Sequence, residues 1–232
     1  MKLDQLPWTQ VHDSLNRRGF ATISSMIDSA RCDELISRYS EEHLYRKTVV
    51  MERHRFGLGE YKYFDYPLPD YIEWLRGNIY RHLVPVANAW MRTLKIDRQY
   101  PANHELFLKH CHDHGQEKAT PLILKYGKGG YNTLHQDLYG EEYFPLQMVL
   151  FLSDDGKDYE GGEFVITEQV PRAQSKASVI KPKKGDAMLF ATSFRPVMGS
   201  RGYYRANLRH GVSEVSSGSR YTLGIIFHDA KT

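Results

Sequence analysis

A chain of 232 residues, 41% of them hydrophobic and 25% charged, can bury a full core without disulfides or a partner, and that composition argues against disorder. The net charge of +3 permits nucleic acid as a partner but is too small to argue for it, or for an anionic membrane. Cys32 and Cys111 are the only cysteines, no apolar leader opens the chain, and nothing approaches the ~18 apolar residues of a membrane span, so a reduced, cytoplasmic protein with no membrane partner is expected.

The N-terminal part reads as mainly helical. A short helix is predicted from about Val11 to Arg17, a brief strand over Gly19–Ile23, and a helix capped by Asp28 and running to Tyr39. Residues 46–70 are aromatic and rich in glycine and proline, so an irregular segment is expected. It either faces a substrate, with Arg53 and Arg55 for phosphate and Phe56 and Tyr61 for stacking, or packs as an aromatic lid. Helical spacing resumes from Asp70 to Ile96, with Pro85 predicting a break or kink between two helices. A further helix is predicted from Asn103 to His114. Its end, His110-Cys111-His112-Asp113-His114, has a zinc-like composition, but residues i and i+2 diverge by about 200° on a helix, and the stretch is read as a solvated helix end.

From about Pro121 the apolar period changes from helical to alternating. Short strands are predicted at 122–126, 147–152, 163–167, 177–180, 186–191, 207–215 and 221–227, with turns such as Asp154-Asp155-Gly156 and Gly161-Gly162 between them. Many short strands with glycine-rich turns indicate a sandwich or jelly roll. The expected fold is α+β, with a helical support region over residues 1–117 and a jelly-roll domain over 118–232.

The candidate chemistry lies in that second part. His135 and Asp137 are one residue apart in a stretch read as extended, so both point to one face and can grip one ion. His210, on a late strand, completes the two-histidine, one-carboxylate facial triad of non-haem iron(II) oxygenases. Arg220 opens an apolar strand, an odd place for a guanidinium unless it meets a carboxylate, and Thr222 shares its face. Were the strands of His210 and Arg220 on opposing sheets, ~10 Å apart, a short dicarboxylate could chelate the ion at one end and meet Arg220 at the other.

Taken together, His135-Gln136-Asp137, Gly161-Gly162-Glu163-Phe164, Lys184-Gly185-Asp186, His210 and Arg220 resemble the iron(II)/2-oxoglutarate dioxygenase superfamily. The whole chain is most similar to its prokaryotic nucleic-acid-associated oxygenase family. The resemblance implies Fe(II) held by His135, Asp137 and His210, 2-oxoglutarate as co-substrate held by Arg220 with Tyr126 and Thr222, and O2. It implies conversion of 2-oxoglutarate to succinate and CO2, coupled to hydroxylation or oxidative demethylation of a substrate carbon. Lys125-Tyr126-Gly127 is similar to the AlkB repair branch, yet Leu124 replaces that branch's asparagine and its arginine run is missing. Three readings stay open: a nucleic acid base as substrate, a peptidyl or free amino acid, or a non-catalytic cupin-like binding protein. For the first, the arginines and tyrosines of Arg195–Arg209 could hold phosphates and bases around the pocket mouth, or be ordinary outward charges.

Overall fold

A computed structural model of the chain describes residues 3–170 and 172–232. The helices are α1 (Trp8–Arg18), α2 (Ser29–Ser37), α3 (Asp70–Thr93) and α4 (His104–Asp113). The first half of the chain carries the strands β1 (Phe20–Ile23), β2 (Tyr45–Val50), β3 (Gly57–Leu58) and β4 (Glu60–Phe64). The second half carries β5 (Leu122–Tyr126), β6 (Tyr131–His135), β7 (Leu146–Phe151), β8 (Tyr159–Gly161), β9 (Phe164–Gln169) and β10 (Lys176–Ile180). After these come β11 (Ala187–Ala191), β12 (Phe194–Gly199), β13 (Gly202–Val212), β14 (Val215–Gly218) and β15 (Arg220–Ile226).

Two antiparallel sheets make the jelly roll. The larger has the order β1-β11-β7-β15-β5-β4-β2, the smaller β10-β9-β13-β6-β3 with β12 beside β13, and β14 pairs β8 in a small ribbon. The strand of His210 and that of Arg220 therefore lie on different sheets. This is the condition for a cavity with a metal wall and an arginine wall.

The boundary expected at 117/118 marks the change of period but not a break in packing. β1 pairs β11, β4 pairs β5 and β3 pairs β6, so strands of the first part join both sheets of the second. One main core takes Leu15, Ile79 and Trp90 together with Phe144, Leu189 and Phe227. The irregular segment expected at 46–70 is also corrected, because β2, β3 and β4 run through it. Its aromatic and β-branched residues, Val49, Tyr61, Tyr63 and Phe64 among them, suit a half-buried pleat better than a lid.

Pro85 does not divide α3, which runs unbroken from Asp70 to Thr93. The proline side chain is exposed, as is Arg81, whose carbonyl loses its helical donor and can turn to water. Beyond the proline, α3 buries Val86, Trp90 and Met91. At about 1.5–3 kcal/mol for each large apolar side chain, that burial outweighs the ~3 kcal/mol cost of a mid-helix proline. No described helix is long and apolar enough to cross a membrane.

Candidate active site

The metal wall is built where β6 and β13 pair. His135, the last residue of β6, lies directly opposite His210 on β13, so both imidazoles project from one face, with ring centroids 4.2 Å apart. The strands can approach this closely beside His210 because Gly211 follows it. A Cβ there would sit 2.6 Å from the Asn132 carbonyl oxygen. Asp137 is not on the strand, as the sequence had suggested, but in the loop just beyond it. Between them Gln136 donates from its amide to the carbonyls of Ser193 and Leu208, both at 2.8 Å, which ties down the start of the loop and returns Asp137 to the histidine side.

The three side chains converge. Asp137 Oδ1 is 3.5 Å from His135 Nε2, Asp137 Oδ2 is 3.2 Å from His210 Nε2, and one ligand atom from each residue lies within 4.8 Å of the others. His135 Nδ1 is 2.8 Å from the Thr133 carbonyl, a contact only an N–H can make, so the proton sits on Nδ1 and Nε2 is left to accept. Phe164 stacks on the His210 ring and Phe190 meets it edge-on.

Burial lowers the His210 imidazole below its ordinary range, with the neighbouring His135 charge acting the same way. Burial would also lower His135, but the Asp137 carboxylate overcomes it and holds that ring above its usual value. The same histidines hold the Asp137 carboxyl well below the usual range against the opposing effect of burial. With Nδ1 of His135 held by Thr133, its Nε2 is the nitrogen that gives up a proton to an entering ion, and two imidazoles with an ionised carboxylate are the donor set an Fe(II)-type ion takes.

The opposite wall comes from β15 and β5. Arg220 pairs in register with Tyr126, and both side chains are buried. The guanidinium sits among the rings of Tyr126, Phe151 and Tyr159 at 5.6, 5.7 and 5.8 Å. Its Nε and Nη1 have no hydrogen-bond partner among the described residues. A buried donor without a partner costs roughly 1–3 kcal/mol, more when charged, and no ion pair among the described residues offsets that cost here. Gly162 keeps room for it: a Cβ there, at φ +60°, would lie 2.9 Å from Arg220 Cδ. Tyr126 is pushed up to about 12 by burial, despite the Arg220 charge, so it stays a neutral phenol, and Asn132 donates to its oxygen at 3.3 Å.

One cavity of about 210 Å³ is lined by His135, Asp137, His210, Tyr126, Arg220 and Thr222 together. The structure thus brings together every side chain that the sequence singled out for metal or co-substrate. It adds residues that the sequence reading passed over. Tyr139 donates its hydroxyl to Asp137 Oδ1 at 2.8 Å. Gln147 lines the cavity from β7, buried, with its Nε2 lacking a partner among the described residues. A lone amide inside Leu146-Gln147-Met148-Val149-Leu150-Phe151 was the available signal, of the same kind that marked Arg220. Phe56 and Tyr61 also line the cavity.

The arginine-tyrosine stretch before His210 does not. Arg195 pairs with Glu168 at 2.5 Å, Arg205 covers the Phe194 ring, and none of Arg195, Arg201, Arg205 or Arg209 is among the described lining residues. His54, His104 and His228 also lie outside the lining.

Residues 59–230 match the family described as an oxygenase catalysing oxidative methylation of damaged DNA. The chain belongs to this oxygenase family. An uncharacterised protein of Mycobacterium tuberculosis, found in strains CDC 1551 and H37Rv, is 46% identical over 167 residues, which is 72% of each chain. The fold of this oxygenase is similar to that of a Pseudomonas putida prolyl-4-hydroxylase, with a TM-score of 0.54 at 15% identity over 97% of this chain and 100% of that one. A Trichoplax adhaerens prolyl hydroxylase, solved with a hypoxia inducible factor peptide, gives a TM-score of 0.58 at 15% identity over 94% and 87%. The jelly roll of this chain is thus the fold expected from the sequence.

Proposed function

We propose that the chain is an Fe(II)- and 2-oxoglutarate-dependent dioxygenase that hydroxylates, and thereby demethylates, a methylated base in unpaired or flipped nucleic acid. His135, Asp137 and His210 would hold the iron, and Arg220 would receive the far carboxylate of 2-oxoglutarate, with Tyr126 and Thr222 beside it. The observation that carries this reading is the buried Arg220 guanidinium with two nitrogens unpartnered, on the cavity wall opposite the triad. When bound, the iron with 2-oxoglutarate and O2 supplies an oxidant able to hydroxylate a C–H bond, with release of succinate and CO2.

The chain's own residues set the geometry. The Thr133 carbonyl and the Tyr139 hydroxyl fix the orientation of His135 and of Asp137. Phe164 and Phe190 exclude water around His210. Leu122, Leu124, Gly224 and Ile226 continue the larger-sheet wall away from Arg220 to Gln147, whose free amide is a donor suited to a carbonyl or ring nitrogen of the substrate.

Support for a base as the substrate comes from the rim. Phe56 lines the cavity yet is 46% exposed, a ring available for stacking, and Arg53 and Arg55, close to it in the chain, are exposed charges available for phosphate. The family's description, damaged DNA, points the same way. A peptidyl or free amino-acid side chain is the competing class, favoured by the spacing from His210 to Arg220, which resembles that of prolyl hydroxylases. Membership of an oxygenase family sets aside the non-catalytic reading.

The test is succinate release from 2-oxoglutarate with Fe(II), screened against methylated single-stranded oligonucleotides, methylated nucleosides, peptides and amino acids. Stimulation by methylated oligonucleotides, weakening steeply with salt, is the expected result. Stimulation by peptides or amino acids alone would overturn the substrate assignment.

A further inference from the structure

Among the described residues one other group of side chains has the composition and closeness of a metal site: His110, His114 and Glu142, with one ligand atom from each within 4.8 Å of the others. It lies away from the cavity, at the C-terminal end of α4. His110 and His114 are four residues apart and so project from one helix face, with ring centroids 4.4 Å apart. The sequence reading of this stretch weighed neighbours two apart, which diverge. The pair four apart converges.

The tautomer of His114 is set by its surroundings. Its Nδ1 is 2.8 Å from the His110 carbonyl oxygen, so Nδ1 carries the proton and Nε2 keeps its lone pair free. A backbone carbonyl holding the far nitrogen is the usual outer support of a metal-ligating histidine. His110 Nε2 lies 3.0 Å from Glu142 Oε2. Glu142 is not a loose surface carboxylate: its side chain is 13% exposed, and its backbone N–H and C=O are both gripped by the buried Gln116 amide, at 2.9 and 2.8 Å. Arg98 also reaches Glu142 Oε2, at 3.4 Å, but it is anchored independently by the Glu141 carbonyl at 3.2 Å and over the Tyr143 ring. The nearby Lys109 is paired with Asp113. The negative end of the α4 dipole adds a favourable field for a cation.

We propose that His110, His114 and Glu142 form a second metal site, distinct from the triad, for a borderline divalent ion such as Zn2+, with water in the remaining position. Glu142 lies in the segment that runs from Asp137 to β7, and Tyr139 of that segment hydrogen-bonds Asp137. An ion at this site ties the end of α4 to the loop that carries the cavity carboxylate.

The test is equilibrium dialysis of the full chain against Zn2+. The wild type is expected to take up two equivalents per chain, one at each site. His110→Ala/His114→Ala should take up one, with the helical circular dichroism signal unchanged. His135→Ala/His210→Ala, which silences the cavity site, should still take up one, and Zn2+ should raise its Tm. Glu142→Gln, close in shape, made in that background should weaken the remaining binding by about tenfold or more and remove the shift. A wild type that binds a single equivalent, or a cavity-silenced chain whose Tm ignores Zn2+, would overturn the proposal. If the α4 double variant fails to fold, the Glu142→Gln comparison decides it alone, and unchanged affinity there would likewise overturn it.

Discussion

Two arginines of this chain are almost wholly buried, and they are used in opposite ways. Arg76, on α3, is 1% exposed and fully partnered. Its Nε donates to the Ile226 carbonyl at 2.8 Å, its Nη1 to the Tyr66 hydroxyl at 2.9 Å, and its Nη2 to the His228 carbonyl at 3.1 Å and to Asp229 Oδ1 at 2.8 Å. Asp229, in turn, accepts from the Tyr66 hydroxyl and from His112, both at 2.8 Å. Arg220 is equally buried, but its Nε and Nη1 are without partners among the described residues, inside the cavity. A buried charge with a partner at every nitrogen clips a helix to the end of the last strand. One left unmet on a cavity wall has donors to offer a ligand.

That contrast fixes what each substitution should do. The largest effect falls on the paired arginine: Asp229→Ala strands the Arg76 charge and should lower stability by about 3–5 kcal/mol, seen as a drop in the urea midpoint. Arg220→Met should leave the urea midpoint unchanged or raise it, because it removes an unmet buried charge. It should raise the 2-oxoglutarate requirement at least about thirtyfold, since breaking a buried charge pair costs about 2 kcal/mol or more, while leaving metal uptake at the triad nearly intact. Loss of folding in Arg220→Met would erase the distinction.

The Arg76 region should also make the fold sensitive to acid. Burial, and after it the Arg76 charge, lowers His104 and His228 to about 3. In the unfolded chain each histidine takes up a proton near pH 6.5, so folding stability is fully present above that pH. It is lost as the pH falls below, by up to about 1.4 kcal/mol per pH unit for each ring until the folded value is reached. Urea midpoints measured between about pH 7.5 and about pH 5 should fall with acid, and a flat profile would contradict the assignment. The smallest effect is on the cavity side: Tyr139→Phe removes the hydroxyl from Asp137 and should weaken metal binding about tenfold with little change in stability.

Much of the candidate site was legible because residue type and spacing coincide there. His135 and Asp137 are ligand types one residue apart, His210 is a third on a late strand, and Arg220 is a charge opening the apolar β15, where a polar group needs a partner. Gln147 gave the same signal inside β7 and was passed over, as was Arg76, which interrupts the stripe of Ile72, Leu75 and Ile79 on α3. The strands within residues 46–70, β2, β3 and β4, were not legible for a different reason. β3 spans only two residues and finds its partner in β6, far along the chain, so its pairing leaves no local period to read. Pro85 misled because a helix-breaking residue on a solvent-facing turn costs less than the burial of Trp90 beyond it returns.

Succinate formation from 2-oxoglutarate by the wild type and by Asp137→Ala, each supplied with Fe(II) and O2, is where the account stands most exposed. The wild type should form succinate only when iron is present, and the variant should remain at background. A variant that forms succinate at the wild-type rate would mean that Asp137 holds no metal and that the cavity is not where the chemistry happens.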